Sequence, residues 1–135
     1  MFKSDDIKTG IFAAYATAVG TNGLVRLYDG ARPATMATAI TTQNLLYEGA
    51  ITGALWASTT AATATMDPVP DAVGTAICTA VGKTATWGCL CTSAGVRKVD
   101  FTVAATGAEM NLTPDALIKT GQTFTMSSLV LNSTN

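Results

Sequence analysis

Thr84-Ala85-Thr86-Trp87-Gly88-Cys89-Leu90-Cys91-Thr92, then Ser93-Ala94-Gly95, then Val96-Arg97-Lys98-Val99-Asp100-Phe101-Thr102-Val103, reads as a β-hairpin. In the first run Ala85, Trp87, Cys89 and Cys91 fall at every second position, so an extended chain sets all four on one face. Gly95 supplies the positive φ that a short turn requires. On the return, Val99, Phe101 and Val103 point inward while Lys98, Asp100 and Thr102 point outward. This alternation places the chain among antiparallel β proteins.

Working toward the N-terminus, Leu24-Val25-Arg26-Leu27-Tyr28 is a second clear strand, stopped by Asp29-Gly30 and the following Pro33. A loop spans Met36 to Gln43, and Leu45-Leu46-Tyr47-Glu48 reads as a short strand. Residues 52–76 are less decided. They hold the near low-complexity run from Thr59 to Thr65 and then Pro68 and Pro70, which argue against a helix or a central strand. One or two strands and a long surface loop from Asp67 to Gly74 are expected there. Ahead of all this, residues 4–19 read as a helix: Ser4, Asp5 or Asp6 caps it, and Gly20-Thr21-Asn22-Gly23 ends it. Ile7, Ile11, Ala14, Tyr15 and Ala18 form its predicted apolar face.

Toward the C-terminus, Gly107 breaks the chain before Glu109-Met110-Asn111-Leu112, and residues 114–121 form a turn or short edge piece. The last strand, Thr123 to Asn132, carries Phe124 and Met126 in one phase and Leu129 and Leu131 in the other. A β-bulge at Ser127-Ser128, or burial on both faces, reconciles the two. Seven or eight short strands with frequent turns predict a single domain over residues 1–135. Its expected fold is a mainly β, antiparallel β-sandwich of jelly-roll or immunoglobulin-like type with one N-terminal helix.

The composition suits a subunit whose faces are covered by neighbours, the alternative being an ordinary secreted domain solubilised by its threonine hydroxyls. Only 13% of the 135 residues are charged, against about 25% in an average soluble protein, and threonine and alanine fill about a third of the chain. The net charge is −1, and the eight cationic residues are scattered apart from Arg97-Lys98, so nucleic acid is not an expected partner. No apolar run reaches the length of a membrane span, and a membrane is not expected either. Met1-Phe2-Lys3-Ser4-Asp5-Asp6 is polar and acidic where a signal peptide is basic and then apolar, which predicts synthesis in a cytoplasm without export. The sequons at Asn111 and Asn132 are then chance matches.

Chemistry has few places to reside. The chain has no histidine, so Ser-His and Cys-His nucleophile pairs are excluded within it. Asp5-Asp6 suits helix capping, and Asp67 and Asp71 lack the dense pattern of a calcium loop. Glu48 and Asp100 read as isolated, and Gly20-Thr21-Asn22-Gly23 lacks the spacing of a phosphate loop. Cys89 and Cys91 can in principle hold a soft metal, but no histidine is present to complete a closed four-ligand site. With Cys78 they read as buried reduced thiols. No catalytic, cofactor or metal residue is therefore expected. The candidate site residues are contact residues: Ile7, Ile11 and Tyr15 on the helix, Trp56, and Leu129 and Leu131 in the uncharged last strand.

Four segments carry a resemblance: Leu24-Val25-Arg26-Leu27-Tyr28-Asp29-Gly30-Ala31-Arg32-Pro33-Ala34, Gly82-Lys83-Thr84-Ala85-Thr86-Trp87, Gly107-Ala108-Glu109-Met110-Asn111-Leu112, and Thr120-Gly121-Gln122-Thr123-Phe124-Thr125-Met126-Ser127-Ser128-Leu129. Their order resembles small Ala/Thr-rich virion proteins of tailed bacteriophages. The chain departs from that pattern with Glu109-Met110 before Asn111 and with Phe124-Thr125-Met126 in the last strand. The resemblance implies a structural role in a virion and no enzymatic activity, with capsid decoration (cement) as the first reading and a tail, neck or fibre-base component as the second. Expected partners are the major capsid protein or other virion proteins and further copies of the chain, as a homo-oligomer such as a trimer. A carbohydrate- or receptor-binding β-sandwich, using Trp56 and residues 67–74, is the alternative of another class.

Overall fold

The computed structural model describes residues 3–67 and 69–133. The start at Met1-Phe2, the breaker Pro68 and Thr134 of the second sequon lie outside the described residues, as does the Asp71 side chain on which the calcium reading turns. Helix α1 (Asp5–Val19) is followed by β1 (Leu24–Tyr28), β2 (Leu45–Ala50), β3 (Ser58–Thr59), β4 (Thr63–Thr65) and β5 (Val69–Val73). Then come β6 (Lys83–Thr84), β7 (Trp87–Cys91), β8 (Arg97–Ala104), β9 (Met110–Thr113), β10 (Leu117–Ile118), β11 (Thr123–Met126) and β12 (Val130–Asn132).

Seven strands form one sheet in the order β2-β1-β7-β8-β9-β11-β5. Its two ends approach each other: Thr75 N, just past β5, donates to Leu46 O of β2 at 3.0 Å, and the rings of Tyr47 on β2 and Phe124 on β11 meet edge-on at 5.6 Å. The sheet is thus nearly closed into a barrel, and β12-β4-β3 and β10-β6 form two smaller sheets. The fold is mainly β and sandwich-like, with one helix.

The hairpin forms as its sequence dictates. Strands β7 and β8 pair antiparallel with Leu90 opposite Val99, and Gly95 takes φ +80° in the turn. Every residue of β7 is buried. Leu90 enters the main core with Phe12, Leu27, Leu46 and Phe101, while Trp87, Cys89 and Cys91 form a smaller cluster with Tyr28 on the other face. Ala85 does not stay with them. At Ala85-Thr86 the chain changes partner, Ala85 N donating to Ala116 O and Thr86 N to Tyr28 O, and Ala85 joins the main core.

Other differences have equally local causes. Residues 69–73, expected as loop, form β5, which among the described residues pairs only with strand β11. An edge position tolerates the missing N–H of a proline. The last run divides at Ser127-Ser128: β11 lies inside the large sheet and β12 in the small one, while Ser127 N donates to Asn111 O. Strands β8 and β9 run parallel, although such pairs usually need a crossover of a dozen residues or more. Here residues 105–109 suffice, because Glu109 folds back on Thr102. Thr102 N donates to Glu109 Oε2 at 2.7 Å, and Glu109 N donates to Thr102 Oγ1 at 3.1 Å.

Helix α1 has the expected extent, but its docking face is rotated from the predicted one. Phe12 and Val19 are its buried residues, with Tyr15 and Ala16 packed beside them, while Ile7, Ala14 and Ala18 face outward. The stripe 12-15-16-19 keeps helical spacing and carries the large Phe12 ring inward.

A methyl group on Gly88 would meet the Phe101 ring at 2.5 Å and the Arg26 carbonyl oxygen at 2.7 Å, whereas one on Gly10 meets nothing within 4 Å. Gly88→Ala is expected to lower stability in chemical denaturation by about 1–3 kcal/mol. Gly10→Ala is expected to raise it by about 0.5–1 kcal/mol.

Candidate functional site

On the outer face of the large sheet, strand register lines up four polar side chains. Glu48, Arg26, Cys89 and Asp100 stand opposite one another across β2, β1, β7 and β8. Arg26 Nε donates to Glu48 Oε2 at 2.6 Å, and its Nη1 donates to Gly95 O at 3.2 Å. Beside this row, Arg97 Nε lies 3.3 Å from Asp100 Oδ1, with side chains only 8% and 11% exposed. The Arg97 guanidinium sits 5.8 Å from the Trp87 ring centroid, and Trp87 stacks on Tyr28 at 4.7 Å. Glu48 and Asp100 are therefore not isolated, as the sequence suggested. An arginine inside the apolar run Leu24-Val25-Arg26-Leu27-Tyr28 was the available signal.

The connection 29–44 closes over this face. Asp29 ties its two ends, accepting from Asn44 N at 2.6 Å and from Asn44 Nδ2 at 2.7 Å. Gln43 Nε2 donates to Ala31 O, Arg97 Nη2 donates to Thr35 O, and Ile40 packs on the Trp87 cluster. Beneath it Cys89 Sγ and Cys91 Sγ are 3.4 Å apart, and both residues are fully buried. The thiol contact with Cys91 pushes the Cys89 thiol well above its usual range, and burial adds to the shift. The same contact lowers Cys91 to about 7 against the effect of burial, with Arg26 and Arg97 assisting. Burial raises the Asp100 carboxyl, opposed by Arg97 and Arg32. Among the described residues no group of three or more His, Cys, Asp or Glu is placed to hold a metal ion.

The sequence-predicted contact residues separate into two sets. Leu129 and Leu131 are 0% and 5% exposed and belong to the main core, so the chain's own packing takes them out of any surface contact. Their strand still has an edge: β12 pairs with β4 alone, as does β3 at the other side of that sheet, where Ser58 and Thr59 are exposed. Ile7 is 58% exposed, while Ile11 and Tyr15 are half-buried on the helix flank. Trp56 is half-buried as well. Its Nε1 donates to Phe12 O at 2.8 Å and its ring meets Phe12 edge-on, which fastens α1 to the body. Trp56 also borders a groove of about 560 Å³ with Ala16, Thr17, Gly20, Ala54 and Thr59. Tyr15 lines a different hollow, with Arg32, Met36 and Lys98. Sequence reasoning missed the exposed apolar side chains of Val73, at the end of β5, and of Ile77 and Val81 in the segment joining β5 to β6.

Comparison with family models, curated proteins and solved structures finds no match to this chain.

The Arg97–Asp100 pair is buried, so removing one partner strands a charge in a poorly hydrated place. Asp100→Leu is expected to cost about 3–5 kcal/mol, and Arg97→Met combined with Asp100→Leu to recover most of the loss. Denaturation of the two single variants and the double variant measures it. Equal and additive losses would show that the two charges do not act as a pair.

Proposed function

We propose that this chain is a structural, non-enzymatic subunit of a bacteriophage virion, acting as a capsid decoration (cement) protein that binds the shell and reinforces it through contacts with the shell and with other copies. The observation that carries the reading is the lack of charge along the small sheet. No charged side chain occurs from residue 49 to 66 or from residue 120 to 135, segments that supply β3, β4 and β12. Free proteins guard exposed strand edges with lysine, proline, bulges or covering elements, because unpaired N–H and C=O groups template further pairing. Exposed Ser58 and Thr59 on β3 carry no charged guard. Ile7, Ile77 and Val81 add exposed apolar area that a shell contact would cover. The particle setting comes from the resemblance in the four segments quoted above.

A tail, neck or fibre-base position rests on the same assembly logic. A carbohydrate-binding role draws on a separate observation, the groove beside Trp56, although the Trp56 indole N–H is already engaged by Phe12 O.

Sedimentation of the purified chain is expected to show concentration-dependent association, weakened by Thr59→Lys with the circular dichroism spectrum unchanged. Localisation in a particle map is expected to place the chain on the outer shell in many copies. A concentration-independent monomer that joins no shell or tube would remove the proposal, and density confined to the tail would replace it with the second position. Glycan binding that disappears in Trp56→Ala would favour the carbohydrate reading.

A further inference from the structure

We propose that Cys89 and Cys91 form a two-coordinate thiolate site for a soft monovalent cation, copper(I) being the probe of that class, closed over by residues 29–44. The two sulfurs belong to one extended strand, share its outer face and lie 3.4 Å apart. A disulfide suits this position poorly. Residues two apart in a strand have Cα atoms about 6.6 Å apart, near the outer limit of roughly 6.8 Å for a disulfide. Pairing with β1 and β8 on both sides opposes the bend that would bring them closer. A bridging ion makes no such demand. With metal–sulfur bonds of about 2.3 Å, as in zinc thiolates, sulfurs at 3.4 Å accept a bent bridge, and side-chain rotation toward roughly 4.6 Å makes it linear.

The ligand set narrows the class of ion. Zinc and iron–sulfur centres take four protein ligands in structural sites, and no third His, Cys, Asp or Glu joins this pair among the described residues. Thiolate ligands suit copper(I), zinc and iron–sulfur clusters, and of these copper(I) is the one left for two ligands. Two thiolates and one monovalent cation leave a net charge of −1, and in register Arg26 and Asp100 stand opposite Cys89 and Arg97 opposite Cys91, so two guanidiniums, each also paired with a carboxylate, flank the site. The Arg97 side chain is more than nine-tenths buried, and its Nε, like Asp100 Oδ1 3.3 Å away, has no hydrogen-bond partner. A buried donor without an acceptor is costly, and an anionic bis-thiolate beside it provides one. Each sulfur binds as its thiolate, any thiol proton leaving to solvent as the metal–sulfur bond forms, and no electron is transferred. The ion enters when residues 29–44 lift, or during folding before they close.

The test uses the full chain, reduced and without oxygen, titrated with copper(I) against a competing chelator. One equivalent is expected to be retained, with a new near-ultraviolet thiolate-to-copper band and quenched tryptophan fluorescence. Cys89→Ala and Cys91→Ala, each checked for fold by circular dichroism, are expected to lose retention. Cys78→Ala is expected to keep it, since Cys78 lies in the main core with its thiol on Leu46 O. Arg97→Met is expected to weaken it by about tenfold. X-ray absorption on the unmutated protein needs no variant to fold and is expected to show two sulfur neighbours and no others. Complete loss of copper to the chelator, retention in Cys89→Ala or Cys91→Ala, or a coordination shell with nitrogen, oxygen or a third sulfur would each overturn the site.

Discussion

Strand β7 is buried on both faces along its whole length, and the rest of the molecule is arranged around that constraint. A strand in an antiparallel sheet usually offers one face to water. Here Gly88 lets the Phe101 ring lie against the backbone on the inner side, beside Leu90, while Trp87, Cys89 and Cys91 fill the outer side. Two cores therefore share a single strand. The inner core needs α1 and the small sheets to close it, and the outer one needs the connection 29–44. Loss of either cover would expose large apolar groups, so the helix anchor at Trp56 and the Asp29–Asn44 clasp are consequences of how β7 is buried.

The outer face also explains where the charges have gone. In a chain with eight cationic and nine acidic residues, Arg26 pairs with Glu48 and Arg97 with Asp100 on this one face. Such pairs contribute little when exposed and must be well matched when covered, because desolvation offsets their attraction. The Arg26–Glu48 pair remains partly open to water. The Arg97–Asp100 pair is enclosed, and the raised Asp100 carboxyl shows burial outweighing the pull of Arg97. For that group the folded state binds its proton more tightly than the unfolded chain does. Its contribution to stability thus declines as pH rises from the ordinary carboxylate range through the raised value and stays lower above it.

Much of this was legible from residue order, and the remainder was not for identifiable reasons. Alternation and turn chemistry gave the β7–β8 hairpin, β1 and the inward set Phe101 and Val103, because period and turn type are local properties. The helix ends followed from Gly20 and the acidic first turn. Its docking face did not, since Ile7, Ile11, Ala14, Tyr15 and Ala18 have helical spacing as good as the Phe12–Val19 stripe, and only the shape of the sheet chooses between them. Partner changes at Ala85-Thr86 and at Ser127-Ser128 depend on which strands arrive from elsewhere. So do the edge position that admits Pro70 and the cross-strand meeting of Arg26 with Glu48, residues 22 apart in the chain. Leu129 and Leu131 were read as contact residues because their strand carries no charge. The same neutrality serves core packing at those two positions and an unguarded edge at their neighbour.

An unguarded edge and a buried polar face can coexist in one small domain. An uncharged edge invites pairing, and in a free protein it is a hazard that charge elsewhere on the surface must counter. This chain concentrates four of its charges on one face of the large sheet, two of them deeply covered, where they offer little repulsion to an approaching copy. Its edges at β3 and β12 belong to the small sheet, and the thiol pair belongs to the large one. The proposed association through the former and the proposed occupancy of the latter therefore engage different strands and different side chains. A loop that lifts from Trp87 and the two cysteines leaves the β12-β4-β3 ladder intact, so the two properties can vary independently within one fold.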